Sequence, residues 1–111
     1  MEARLKAAIW VKAHVRRCAT QGITAVIARH GDDTAGSILL KLNRLERGCT
    51  VLSPSNRGDG ARVWLRATGP ATVPEADADA YIARQVKRDP DLWVVEIEDR
   101  DGRHCLDDPV E

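Results

Sequence analysis

The chain has 111 residues, with 17 basic and 17 acidic side chains, so its formal net charge at pH 7 is zero. A neutral chain lacks the overall positive charge that draws proteins to nucleic acid or to anionic membranes. The length fits one domain, which we expect to span residues 1–111 around one hydrophobic core. Three cysteines spread along the chain argue against a disulfide framework and predict free thiols in the cytoplasm. No apolar run has the length of a membrane span, so we expect no contact with a membrane.

The charged residues are divided unevenly between the two halves of the chain. Residues 1–66 carry twelve Lys and Arg against five Asp and Glu, whereas residues 67–111 carry five against twelve. This division predicts either two halves that fold against each other or two poles that face partners.

The first half predicts one helix followed by four strands. Residues 5–21 have apolar side chains at helical spacing, and Gly22 follows as a stop signal. The predicted strands are β-branched or alternate between apolar and polar side chains, and they cover residues 23–30, 37–45, 49–52 and 61–67. Short connections rich in turn-forming residues favour an antiparallel meander.

The second half predicts another helix and two more strands. Residues 75–88 have acidic side chains at the start and basic ones at the end, as the helix dipole favours. Residues 92–99 alternate like a strand, and Asp101-Gly102 predicts a hairpin turn into a short strand at residues 104–106. The order α-β-β-β-β-α-β-β therefore predicts an α+β fold, in which two helices pack on one face of an antiparallel sheet of about five or six strands.

The strand pattern places basic residues on one side of the predicted sheet, with Trp64 exposed among them and Val63 and Leu65 turned inward. We call this set the candidate basic face: Arg29, Lys41, Asn43, Arg62, Trp64 and Arg66. Arginine beside an exposed aromatic ring allows some RNA-binding folds to combine phosphate contact with base stacking. The alternative, which we favour, is a structural role in which Glu96 and Glu98 pair across strands with Arg62 and Arg66.

Two groups of side chains resemble partial metal sites. His14 and Cys18 have the i, i+4 spacing of one helix face, but no further ligands follow, so we favour a solvated His14 and a semi-buried Cys18. The second group could hold a magnesium ion at a strand end, although turn formation explains its aspartates better; it consists of Glu96, Glu98, Asp99 and Asp101 beside His104. No phosphate-binding loop or nucleophile motif occurs, so we predict no catalytic residue, metal or cofactor.

Five segments of the sequence are similar to a known family. They are LKAAIWVKAHVRR at residues 5–17, RHGD at 29–32 with AG at 35–36, KLNRL at 41–45, DAYIARQ at 79–85 and DPDLWVVEIEDRDGRH at 89–104. Together they resemble a family of small alphaproteobacterial proteins of unknown function, DUF1491. The resemblance implies a bacterial, cytoplasmic, single-domain protein, and it supplies no site residues and no activity.

Two hypotheses of function follow. The preferred one is a non-catalytic interaction module that binds a protein partner or forms a homo-oligomer. The alternative is a small nucleic-acid-binding protein that uses the candidate basic face, with metal-dependent hydrolysis at the acidic strand end.

Overall fold

The computed structural model describes residues 6–111. Its helices and strands are α1 (Ala7–Thr20), β1 (Thr24–Arg29), β2 (Ile38–Asn43), β3 (Cys49–Asn56), β4 (Arg62–Arg66), α2 (Glu75–Arg88) and β5 (Trp93–Glu98). A short 3-10 helix, Leu45–Arg47, connects β2 to β3. The predicted α+β class and the element order as far as β5 are confirmed; the predicted helix start at Leu5 lies outside the described residues.

The five strands form one mixed sheet in the order β1-β5-β2-β3-β4. β1 pairs with β5, β2 with β3 and β3 with β4 in antiparallel fashion, whereas β2 and β5 run parallel. The last strand is therefore inserted between the first two, and the sheet is mostly rather than wholly antiparallel.

The predicted final strand at residues 104–106 is not a strand. The turn before it does form, since the Gly102 N–H donates to the carbonyl of Asp99 at 3.0 Å. Cys105, however, has a φ of 63°, a left-handed conformation that interrupts an extended chain. Pairing resumes only at Val110, which forms a parallel bridge with Trp64.

The two helices lie on opposite faces of the sheet, which corrects the expectation that they share one face. The core on the α1 side contains Val11 together with Leu40 and Leu42 of β2. The core on the α2 side contains Leu39 of β2 together with Ala78. All six residues of β2, ILLKLN, are buried, and a strand that is apolar on both sides needs cover on both sides.

Backbone hydrogen bonds define both ends of α1. At its end, the Ile23 N–H donates to the Cys18 carbonyl at 2.9 Å and the Gly22 N–H to the Ala19 carbonyl at 3.0 Å. This is the Schellman pattern, and it requires the positive φ of 72° that Gly22 adopts without strain. At its start, the N–H groups of Ala7 and Ala8 donate to carbonyls of the loop between β1 and β2.

Candidate interaction surface

The residues of the candidate basic face lie on two sides of the sheet. Register pairs Leu40 with Leu52 and Leu52 with Arg66, so Arg62, Trp64 and Arg66 lie on the α1 side. Lys41 and Asn43 alternate with Leu40 and therefore lie on the α2 side, and Arg29 opposite Val94 lies there too. No single face gathers all six residues.

Trp64 is completely buried, contrary to the expectation of an exposed ring. Its ring centroid lies 5.7 Å from that of Trp10 on α1, and Trp10 in turn stacks on His14 at 4.8 Å. The helix thus covers the side of β4 that was expected to face solvent. The neighbouring Val63 is also buried, whereas Leu65, expected to point inward, is 39% exposed because α2 contacts β2 and β3 rather than β4.

Lys41 is the centre of a charged cluster on the α2 side, although its side chain is only 6% exposed. Its ammonium group lies 2.7 Å from carboxylate oxygens of both Glu75 and Asp79 and 3.5 Å from Glu96. Burial by itself would lower the pKa of Lys41, but the hydrogen bonds to Asp79 and Glu75 outweigh burial and raise the pKa. Lys41 is therefore a structural cation that joins α2 to the sheet.

Asn43 completes this cluster, and Glu96 does not pair with the arginines of β4. The Asn43 amide donates to Glu75 at 3.3 Å and to Glu96 at 3.2 Å, while its oxygen accepts from the Leu45 N–H at 2.9 Å. β2 and β3 separate β5 from β4, so the predicted cross-strand pairing with Arg62 and Arg66 is geometrically ruled out. Three carboxylates surround one ammonium, which leaves this part of the surface with an excess of negative charge.

The two edges of the sheet differ in how they are covered. Residues 99–111, which we call the C-terminal arm, end beside β4, where the Trp64 N–H donates to the Pro109 carbonyl at 2.8 Å and the Arg66 N–H to the Glu111 carbonyl at 3.0 Å. At the other edge, β1 is exposed along most of its length. Val26 is 52% exposed and Ile27 is 40% exposed there.

Thr24 to Ile27 form a sheet edge that is open and has no charged side chain, and Arg29 follows at the end of β1. Thr24 to Ile27 pair regularly with β5, and a register shift follows between Ile27 and Arg29. No other strand pairs with the outer side of β1 within residues 6–111. Such an edge presents unpaired backbone groups to another chain.

An acidic row lies one strand inside this open edge. Glu96 is the cross-strand neighbour of Val26, and Glu98 is the neighbour of Thr24. Glu98 is exposed, and in the part of the chain that the structure describes it forms no ion pair. The open edge is therefore apolar at its rim and acidic beside the rim.

His14 is a buried residue that the sequence pattern did not reveal. It lies on the inner side of α1, 4% exposed, where its Nε2–H donates to the His104 carbonyl at 2.9 Å. Burial lowers the pKa of His14 below the ordinary 6.5. The prediction of a solvated His14 was wrong because a polar side chain was assigned to the outer face, whereas His14 shares the inner face of α1 with Val11 and Cys18.

The residues considered for metal binding are dispersed. No three His, Cys, Asp or Glu side chains converge on a metal-sized space among residues 6–111. At the acidic strand end, the side chain of Asp99 accepts from the Arg103 guanidinium at 2.8 Å, while Glu96 faces Lys41. Each of these two carboxylates is thus engaged within the chain.

None of the helices within the described residues is long and apolar enough to cross a membrane. The class that emerges is a small α+β domain with helices on both faces of a mixed five-stranded sheet, one edge closed by its own C-terminal arm and the other open.

A family model for proteins of unknown function, DUF1491, matches residues 5–107, and the chain belongs to this family. The chain is similar to a DUF1491 family protein from Caulobacter crescentus whose crystal structure is known. The two sequences are 48% identical, the match covers 97% of this chain and 100% of that chain, and the TM-score is 0.88. An NMR structure of such a protein from the same organism gives 47% identity, 99% coverage of both chains and a TM-score of 0.84. A solution structure from A. tumefaciens is 26% identical, covers 96% of this chain and 97% of its own, and has a TM-score of 0.74. No curated protein matches the chain.

Proposed function

We propose that the protein is a non-catalytic interaction module, and that it binds an extended segment of a protein partner along the outer side of β1. The observation that carries this proposal is the contrast between the two edges. The chain closes β4 with its own backbone but leaves Val26 and Ile27 of β1 half exposed. Main-chain pairing along an open edge is a general mode of peptide recognition.

The charges beside β1 favour a basic partner. A strand paired with β1 lies two strand spacings, about 10 Å, from β5. Lysine or arginine side chains on its α2-facing side can extend over Thr24 and Val26 towards Glu98 and Glu96. We therefore assign a partner segment in which apolar and basic residues alternate.

A synthetic peptide of alternating lysine and valine tests this proposal, with a peptide of alternating glutamate and valine as its counterpart. Titration into the labelled full-length chain should shift the backbone amide signals of residues 24–29 for the lysine peptide and leave them unchanged for the glutamate peptide. Val26→Lys should weaken binding about tenfold or more, because it adds a positive charge where the basic peptide must lie.

Leu65 provides a matched control, since its exposure of 39% is close to that of Ile27 but it lies on the closed edge. Leu65→Lys should bind the lysine peptide as the unaltered chain does, whereas Ile27→Lys should not. Shifts confined to β4, or equal binding of the two peptides, would overturn the proposal. A homodimer formed through β1 would instead appear in sedimentation without any peptide and be lost in Val26→Lys.

The nucleic-acid hypothesis has less support. Arg62 and Arg66 are exposed, but the Trp64 ring, which this hypothesis expects to stack on bases, is covered by α1. For location we propose the cytoplasm, which the three free cysteines support.

A further inference from the structure

The C-terminal arm is held to α1 by a set of specific contacts. The His104 carbonyl accepts from His14 at 2.9 Å, and the Cys105 carbonyl accepts from the Arg17 guanidinium at 3.1 Å. The same guanidinium lies 2.8 Å from the carboxylate of Asp107. These contacts place Cys105 over the last turn of α1, beside Cys18.

Cys18 and Cys105 belong to the same packed group of side chains. Cys18 is completely buried in the core on the α1 side, and Cys105 is partly buried against that core. Burial and, after it, the neighbouring Cys105 side chain raise the pKa of the Cys18 thiol, as only a close neighbour can. The third cysteine, Cys49, lies in the separate core on the α2 side, so the sheet divides it from both.

Cys105 also has an unusual backbone. Its φ of 63° is left-handed, a conformation that costs energy for a residue with a β-carbon and persists only where surrounding contacts impose it. Hydrogen bonds to the carbonyls of His104 and Cys105 hold the backbone on both sides of this residue. The strained residue is thus the one whose side chain packs next to Cys18.

We propose that Cys18 and Cys105 are a redox pair that forms an intramolecular disulfide with hydrogen peroxide as the oxidant. The sulfur of Cys105, the less buried of the two residues, attacks the peroxide, the O–O bond breaks, and a sulfenic acid forms with release of water. The sulfur of Cys18 then displaces the hydroxyl group, losing its own proton, so that two thiols and one peroxide give one disulfide and two waters. Burial raises the pKa of Cys18 to about 12, which keeps Cys18 protonated and gives the first attack to Cys105.

The disulfide would fix the arm to α1 and thereby keep the β4 edge closed. The arm supplies the carbonyls of Pro109 and Glu111 to β4, and the covalent link lies just before these residues in the chain. Oxidation should therefore slow hydrogen exchange of the Trp64 and Arg66 amides, because the arm can then leave β4 less often.

Intact mass spectrometry of the reduced full-length chain after treatment with hydrogen peroxide tests the proposal. The unaltered chain should lose the mass of two hydrogen atoms, regain it with dithiothreitol, and give a proteolytic fragment that joins Cys18 to Cys105. Cys49→Ser is the matched control and should behave in the same way. Cys18→Ser and Cys105→Ser should form no intramolecular link.

A sulfinic or sulfonic acid on Cys105 without a link, or a link that includes Cys49, would overturn the proposal. Peptide mapping of the unaltered chain needs no substitution, so this outcome is decisive even where Cys18→Ser does not fold. The proposal does not depend on β1, and the peptide titration above tests that edge separately.

Discussion

Two fully buried tryptophans differ in whether their indole N–H has an acceptor. Trp93 donates to the Asp32 carbonyl at 2.7 Å, whereas the Trp64 indole nitrogen is buried without a hydrogen-bond partner among the described residues. A buried donor without an acceptor costs free energy, and a satisfied hydrogen bond contributes about 1 kcal/mol. The two residues therefore form a natural pair for comparison.

We predict that Trp93→Phe destabilises the fold by about 1 kcal/mol more than Trp64→Phe. Both substitutions remove similar ring volume from a buried site, but only the first breaks a hydrogen bond. Urea unfolding followed by circular dichroism measures the difference in the free energy of unfolding. The comparison holds when the slope of this free energy against urea concentration is the same in both variants. Equal losses for the two variants would show that the indole of Trp64 has an acceptor after all.

Stability should decrease as the pH falls from about 7 to about 5. Burial lowers the pKa of both His14 and His104 below the ordinary 6.5, and the His104 Nδ1 accepts the Leu106 N–H, which leaves no place there for a proton. Below pH 6.5 the histidines of the unfolded chain bind protons that those of the folded chain do not. The folded state therefore has its full stability above pH 6.5 and loses stability as the pH falls below this value. Chemical denaturation at several pH values should show that the free energy of unfolding decreases less steeply with falling pH in His14→Gln than in the unaltered chain. The same pH dependence in both would contradict the role of His14 protonation.

At the scale of the elements, the loop between β1 and β2 depends on two glycines. A β-carbon on Gly31 would lie 2.6 Å from Cδ1 of Trp93, one on Gly36 would lie 2.8 Å from the same atom, and both would overlap the Asp91 carbonyl. By contrast, nothing lies within 4 Å of the corresponding position at Gly58.

We expect Gly31→Ala and Gly36→Ala each to destabilise the fold by about 1–3 kcal/mol, because backbone must move to accept the methyl group. Gly58→Ala should change stability by less than about 1 kcal/mol. Thermal unfolding of the three variants provides the comparison. A Gly31→Ala variant as stable as Gly58→Ala would mean that the loop adapts without cost.

The periodicity of the sequence predicted the helices and strands better than it predicted how the strands are arranged in the sheet. The two helices and five strands follow from spacing and end signals, but spacing says nothing about which strand lies beside which, so the place of β5 between β1 and β2 was not foreseen. The end of β3 was missed because Ser53, Pro54 and Ser55 are turn formers, yet pairing with β4 extends the strand to Asn56. The prediction of one shared face with an exposed Trp64 was wrong because alternation tells which side chains of one strand share a side, but neither how strands align nor what covers each side, and α1 covers Trp64.

At the scale of the molecule, the basic first half and the acidic second half fold against each other. Ion pairs that join the halves link Arg17 to Asp107, Lys41 to Glu75, Asp79 and Glu96, Arg47 to Asp101, Arg57 to Glu111, and Arg100 to Glu46. Most are exposed and each contributes little to stability. Lys41 is the buried member of this set.

Lys41→Met should lower the free energy of unfolding by about 1–3 kcal/mol, because Glu96, only 25% exposed, loses its cation. The effect stays moderate since Glu75 and Asp79 are more than half exposed and solvent screens them. Lys12→Met, on the exposed side of α1, should change stability by no more than about 0.5 kcal/mol. Denaturant titration measures the free energy of unfolding of both variants. Equal losses of stability in Lys41→Met and Lys12→Met would contradict a structural role for Lys41.

The position of β5 has a consequence for how the protein is made. β5 is an interior strand of the sheet, although it comes after the other four strands in the chain, so β1 and β2 have no partner between them until residues 93–98 have emerged. Nascent chains that have not reached this point carry apolar strands with unpaired sides, which are targets for chaperones and proteases. The complete sheet can therefore form only once residues 93–98 have left the ribosome.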